Sequence, residues 1–266
     1  MSDLLYRLRY PRPILTVRSV ARELAAYGRA VRRPINETSL QFVLFAAGRT
    51  GSSLLMDLLN SHPDVHCDDE ILSHRVLSVR RFLAARAVLA GRTMYGFKLK
   101  LHHLTTQGIA DPAGFLSRLH AEGCRIVHLA RRDLMRQALS SAIARQRWAP
   151  HHTGTQDRLQ PGPVRIDATW LLGRMRELDA SLQGERAALV GLPHLGLCYE
   201  EDLLSAERHQ ATLDRVFDFL GISRAPVTTR YLRTGVDRLA DLVGNLDEIR
   251  EALRTTEYAL LVTRPS

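Results

Sequence analysis

The chain has 266 residues, 45% apolar and 24% charged, with a formal net charge of +9 and a pI near 10.1. This length and balance suit one substantial α/β domain of an ordinary globular protein, and they exclude a low-complexity chain. The charge calls for an anionic partner: a nucleic acid, a membrane surface, or a phosphorylated or sulfated small molecule.

Arginines are dispersed along the chain, which argues against nucleic acid. Lysine occurs only twice, at Lys98 and Lys100, so the strand that carries both stands out. Three scattered cysteines, Cys67, Cys124 and Cys198, form no CxxC pair and read as reduced thiols.

In chain order, residues 1–37 read as a basic helical extension ended at Pro34, a surface helix that leaves open a peripheral membrane or partner contact. The opening stretch offers neither a secretory core nor an apolar span, so a cytoplasmic location is expected. The domain proper is expected over 38–266. LQFVLFA (40–46) reads as a buried strand and 53–60 as a helix, a β-loop-α unit. YGFKLKL (95–101) alternates as a strand does. DPAGFLSRLHAEG (111–123) reads as a helix with Asp111 as N-cap and Pro112 at its first position. RIVHLA (125–130) is a strand followed by a helix from Arg132, and HLGLCYE (194–200) is a short strand. Helices are expected over 201–220 and 244–256, and residues 148–168 read as a long loop. Strands alternating with helices predict a mostly parallel sheet with helices on both faces.

The loop AAGRTGSS (46–53) joins the first strand to its helix. Such a loop offers backbone N–H groups and the positive end of a helix dipole to a multiply charged anion. A Walker A loop is GxxxxGK[ST], but here Ala46 replaces the first glycine and Ser52 the lysine. A magnesium-nucleotide hydrolase or kinase is therefore disfavoured.

Three separated blocks, covering roughly residues 40–262, resemble the sulfotransferases that use 3′-phosphoadenosine 5′-phosphosulfate (PAPS). Arg49-Thr50-Gly51-Ser52-Ser53 is similar to their [K/R]-[ST]-G-[ST]-[ST] loop for the 5′-phosphosulfate. RIVHLARRDLMRQALSS is similar to their 3′-phosphate motif, with Arg131 or Arg132 at the strand end and Ser140 on the helix. LGLCYEEDLL with LDRVFDFLGI, and LVGNLDEIREALRTTEYALLV, resemble the family's C-terminal segments. TRYLRTG (229–235) falls where the family closes over the adenine, making Arg233 a candidate contact. Within that family the chain most resembles the bacterial branch typified by trehalose sulfotransferase.

The resemblance implies a P-loop-like sulfotransferase fold, PAPS as co-substrate and no obligatory metal. It also implies in-line transfer of the sulfonate to a hydroxyl of a small-molecule, carbohydrate or glycolipid acceptor. Glu70, in HPDVHCDDEIL, is the preferred base, its pKa expected to be raised by partial burial. His102 and His103 are the alternatives. Lys98 is expected to contact the sulfonate or acceptor, with Lys100 two residues on and facing the same side. Trp148, His151 and His152 are candidates for a sugar contact or for a homodimer interface. Two other readings stay open: a nucleotide kinase with a degenerate loop, and a non-catalytic sulfonucleotide-binding or scaffold protein.

Overall fold

A computed structural model describes residues 17–31, 40–147, 162–231 and 239–262. They fall into two compact units, one within Met1–Ala130 and Gly184–Arg230, the other within Arg131–Gln183 and Tyr231–Ser266.

The first unit begins with helix α1 (Val17–Val31) and strand β1 (Leu40–Phe45), followed by helix α2 (Ser52–Asn60) and strand β2 (Val65–Asp68). Helix α3 (Val79–Ala90), strand β3 (Met94–Leu99), the short helix α4 (Leu101–Thr106), helix α5 (Pro112–Ala121) and strand β4 (Arg125–Ala130) come next. In the second unit, α6 (Leu134–Arg147) precedes α7 (Ala168–Ala188), whose last residues rejoin the first unit. Strand β5 (Leu195–Cys198) and helix α8 (His209–Leu220) complete the first unit; α9 (Leu239–Leu242), α10 (Leu246–Arg254) and α11 (Ala259–Val262) complete the second.

All five strands pair parallel in the order β2-β3-β1-β4-β5, as the strand–helix alternation predicts. Parallel strands need crossovers, and the crossovers bury both faces of the sheet. The middle of β1 is apolar for that reason: from Phe42 to Phe45 every residue is fully buried. Alternate side chains then go to opposite layers. Phe42, Leu44 and Ala46 pack with Leu55, Leu58 and Leu59 of α2 and with Val216, Phe217 and Leu220 of α8. Val43 and Phe45 pack with Tyr95, Phe97, Leu99, Leu83 of α3 and Leu116 of α5.

Gly96 fills a specific need in this sheet. It lies opposite Phe42 in the β1–β3 register, and a Cβ there would stand 2.1 Å from Phe42 Cζ. The Phe42 ring thus lies over the bare backbone of β3.

Helix α1 is tied down by its one acid. Glu23 is 2% exposed, and its carboxylate accepts from Leu77 N (2.8 Å) and Ser78 N (3.3 Å), just ahead of α3. Tyr27 O–H also donates to Glu23. The segment expected as a basic extension is therefore, over its described residues, a helix hydrogen-bonded to the first unit.

The boundaries differ from the sequence reading where side chains intervene. The strand expected to reach residue 101 stops at Leu99, because Lys100 caps α4 in an extended conformation. The helix expected from 201 begins at His209; a π-helical turn (Tyr199–Leu203) and a 3-10 turn (Ala206–Arg208) precede it. Buried Asp202 explains the delay. Its carboxylate accepts from Cys198 N (2.7 Å) and Arg215 Nη1 (2.8 Å), and its carbonyl accepts from Thr212 Oγ1 (2.9 Å). Six elements, β2, α3, α4, α7, α9 and α11, were not anticipated.

In the second unit, α6, α7, α9 and α10 share a core of Leu139, Leu171, Met175, Leu239, Ile249 and Leu253. Val164, inside the expected 148–168 loop, forms an isolated bridge with Val243.

Gly96→Ala is expected to cost about 1–3 kcal/mol of stability through overpacking. A shift of the urea midpoint at unchanged slope checks this.

Candidate functional site

The site is built at the carboxyl ends of parallel strands, where open α/β sheets place their ligands. Ala46 N–H donates to Leu99 O (3.0 Å), continuing the β1–β3 ladder one residue past the strand. The chain then turns. Arg49 sits at φ 66°, the one non-glycine at positive φ among the described residues, and Gly51 at φ 87°. A left-handed conformation costs a non-glycine residue about 1–2 kcal/mol, so the turn holds Arg49 against its own preference.

Two contacts hold the loop in that shape. Thr50, which is buried, donates from Oγ1 to Ala47 O (3.0 Å). Tyr199 lays its ring on Gly51, where a Cβ would come within 2.5 Å of Tyr199 Cδ2. Helix α2 starts at once, with Leu55 N bonding to Gly51 O (3.0 Å). Ser52 is buried and Ser53 exposed at its first turn, so the two hydroxyls differ in access.

Beside the loop stands a charged cluster. The β2–β3 register sets Asp68 opposite Phe97, which brings the residues just past β2 alongside Lys98. Glu70 Oε1 is 2.9 Å from Lys98 Nζ and 2.5 Å from Lys100 Nζ. Glu70 Oε2 lies 3.7 Å from His103 Nε2, too long for a hydrogen bond. Lys98 also approaches Asp69 at 3.5 Å. Lys100 Nζ lies 3.8 Å from where a Gly48 Cβ would be, so its ammonium touches the loop itself.

The lysine side chains are only 5% and 16% exposed and that of His103 is fully buried. Burial of such cations is tolerated only with an anion at hand.

The titration of Glu70 runs opposite to expectation. Burial does push its carboxyl up, as anticipated, but His103, Lys100 and Lys98 outweigh it and hold the group far below the usual carboxylate range. Glu70 is an ionised, doubly paired carboxylate in this structure. Burial also lowers the pKa of Lys100 and of His103, Glu70 opposing it in both, so His103 is neutral at neutral pH. Lys100 N donates to His103 Nδ1 (3.3 Å), leaving Nε2 as the protonated nitrogen.

The acidic run DDE therefore divides its labour. Asp68 turns to the opposite layer, where it takes a bidentate pair from Arg86 (2.9 and 2.7 Å) and the Tyr95 hydroxyl (2.8 Å).

Of the two histidines, His103 faces Glu70, while His102 sets its ring edge-on to His103 at 4.6 Å between centroids. The residues expected at a 3′-phosphate belong to the second unit. Arg131 is half-buried directly after β4, and Arg132 is exposed, its carbonyl accepting from Leu134 N (3.0 Å). Asp133 caps α6 by accepting from Arg136 N (2.8 Å), and Ser140 is half-buried on that helix. Arg233, Trp148, His151 and His152 lie outside the described residues.

Two contributors were not singled out in the sequence. One is Tyr199, the aromatic that opens YEEDLL and covers Gly51. The other is Asp57 of α2, which accepts from Thr229 Oγ1 (2.7 Å) and Arg230 N (2.9 Å). It ties the start of TRYLRTG to the helix that opens at the loop. Among the described residues, no cluster of three or more His, Cys, Asp or Glu is placed to hold a metal ion.

No protein-family model and no curated protein sequence matches the chain. Two solved structures are similar. One is a sulfotransferase from Alicyclobacillus acidocaldarius, with 15% identity and a TM-score of 0.46, covering 85% of this chain and 96% of its own. The other is mouse sulfotransferase SULT7A1 complexed with PAP, with 14% identity and a TM-score of 0.42, covering 92% and 94%.

The depressed Glu70 pKa gives stability that is complete above the unfolded value near ~4.3 and is lost as pH falls through the folded value. Glu70→Gln is expected to destabilise by about 1–3 kcal/mol at pH 7, because it leaves buried Lys98 and half-buried Lys100 without their anion. The difference from wild type should hold to about pH 5 and narrow below ~4.3, which urea unfolding at several pH values measures.

Proposed function

We propose that the protein is a PAPS-dependent sulfotransferase that moves a sulfonate group to a hydroxyl of a small-molecule, carbohydrate or glycolipid acceptor. The observation that carries this reading is the meeting of both lysines of the chain with Glu70, against a glycine-containing strand–loop–helix turn.

The residues fit a phosphosulfate. Gly48 puts no side chain over the loop, α2 opens at the turn, and Lys98 and Lys100 beside it supply two positive charges. Arg49 adds a third cation. Arg131 or Arg132 with Ser140, and Arg233, are assigned to the 3′-phosphate and adenine on sequence resemblance. When bound, PAPS supplies a sulfonate on a phosphate anhydride, whose oxygen is already a good leaving group. The chain then contributes placement and charge: the loop amides, Arg49 and the lysines hold the phosphosulfate oxygens. Glu70 takes the acceptor hydroxyl's proton as its oxygen attacks sulfur. His103 keeps the Glu70 carboxylate oriented, and His102 is retained as a neighbouring candidate.

A cytoplasmic enzyme is the setting this reading implies, with a peripheral membrane contact through the N-terminal helix and a homodimer contact as further partners. Among the described residues no helix is long and apolar enough to cross a membrane.

Adenosine 3′,5′-bisphosphate is expected to raise the melting temperature without added metal, by about 2.7 kcal/mol of stabilisation at a hundredfold excess over Kd. ATP with Mg²⁺ is expected to leave it unchanged; the reverse pattern would point to a nucleotide kinase. Arg49→Gly removes the cation and suits the positive φ. The ligand-free melting temperature should hold or rise while the ligand-induced shift shrinks. Transfer of labelled sulfonate from PAPS across an acceptor panel separates an enzyme from a scaffold.

A further inference from the structure

We propose that Glu70 occupies the place of the ligand anion in the resting protein, and that an incoming divalent oxyanion takes over Lys98 and Lys100 and thereby releases Glu70 as the base. The identity of that oxyanion, a phosphosulfate, rests on the reading above; the exchange of partners rests on the geometry alone.

Both ammonium groups converge on one oxygen, Glu70 Oε1, at 2.9 and 2.5 Å. An oxygen held by two cations is what a phosphate or sulfonate oxygen presents to a binding site. Cations so little exposed cannot give up one anion without gaining another. Lys100 is already in reach of a replacement, with its Nζ against Gly48 of the loop.

The pairing also quenches the base. While two ammonium groups stabilise the carboxylate, a proton on Glu70 is strongly disfavoured, and proton abstraction from a hydroxyl gains little from it. Transfer of the lysines to a bound anion removes that stabilisation.

The groups facing Glu70 are Lys98 and Lys100 at the end of β3, His103 of α4, and Asp69 of its own segment through Lys98. Of these, His103 does not move with the charge. Its Nδ1 is engaged by Lys100 N, its ring is buried, and its Nε2 is directed at the other oxygen, Oε2. Glu70 would thus lose both ammonium partners, keep His103 beside it and become basic only when the donor site is filled. A site built this way binds the nucleotide first and the acceptor second.

Calorimetric titration of wild type and Glu70→Gln with adenosine 3′,5′-bisphosphate, and separately with inorganic sulfate, tests this. Glu70→Gln is expected to bind both anions about fivefold or more tightly, since the competing carboxylate is gone. A merely structural Glu70 would give equal or weaker binding, and that result overturns the proposal. Wild type titrated at pH 5.5 in buffers of different ionisation enthalpy should take up a fraction of a proton per anion bound. Absence of that uptake overturns the proposal even if Glu70→Gln does not fold. If wild type ignores the nucleotide but sulfate behaves as expected, the nucleotide reading falls and the exchange stands. If no anion binds, both fall.

Discussion

The two lysines of this chain stand side by side, Lys98 buried and Lys100 half-buried, and one carboxylate makes that possible. A buried ammonium group costs several kcal/mol when unpaired, so the fold must deliver an anion to the end of β3. It does so through register. Asp68 aligns with Phe97, and two residues later Glu70 arrives beside Lys98. The bare Gly96 under Phe42 keeps β3 tight against β1, which sets the phosphate-type loop beside the same lysines. Sheet packing and site electrostatics are in this sense one problem with one solution.

The loop shows a second constraint, in which local strain is stored and held. Arg49 at positive φ persists because the surroundings over-determine the turn: Thr50 bonds back to Ala47, and Tyr199 leaves no room for a side chain at Gly51. The clamp comes from the far end of the chain. Tyr199 is positioned by the turn that Asp202 organises, so a mainly structural block of sequence sets the shape of the loop.

What could be read in advance was local. LQFVLF, AAGRTGSS and LLMDLLN spell a strand, a turn and a helix within twenty-one residues, and the structure has β1, the loop and α2 there. The alternation of strands and helices gave the parallel sheet. Glu70, Lys98, Lys100 and His103 were all picked out, but their grouping on one carboxylate depends on the β2–β3 pairing, which no motif encodes. β2 itself escaped notice because VHCD is short and half polar. The sign of the Glu70 shift was misjudged for the same reason: burial was legible, and the two ammonium groups that reverse it were not. The helix expected from residue 201 failed where a buried Asp202 side chain competes for backbone donors.

The scarcity of lysine has a consequence of its own. In a chain whose positive charge is carried almost wholly by arginine, the ε-amino groups exist only where the candidate chemistry is. Any amine-directed modification, from acetylation to a bifunctional crosslinker, reports on this one pocket and on the chain's amino terminus. With Glu70 gripping both groups and solvent nearly excluded, their nucleophilicity becomes a direct measure of whether the pocket is closed on itself or open to a guest.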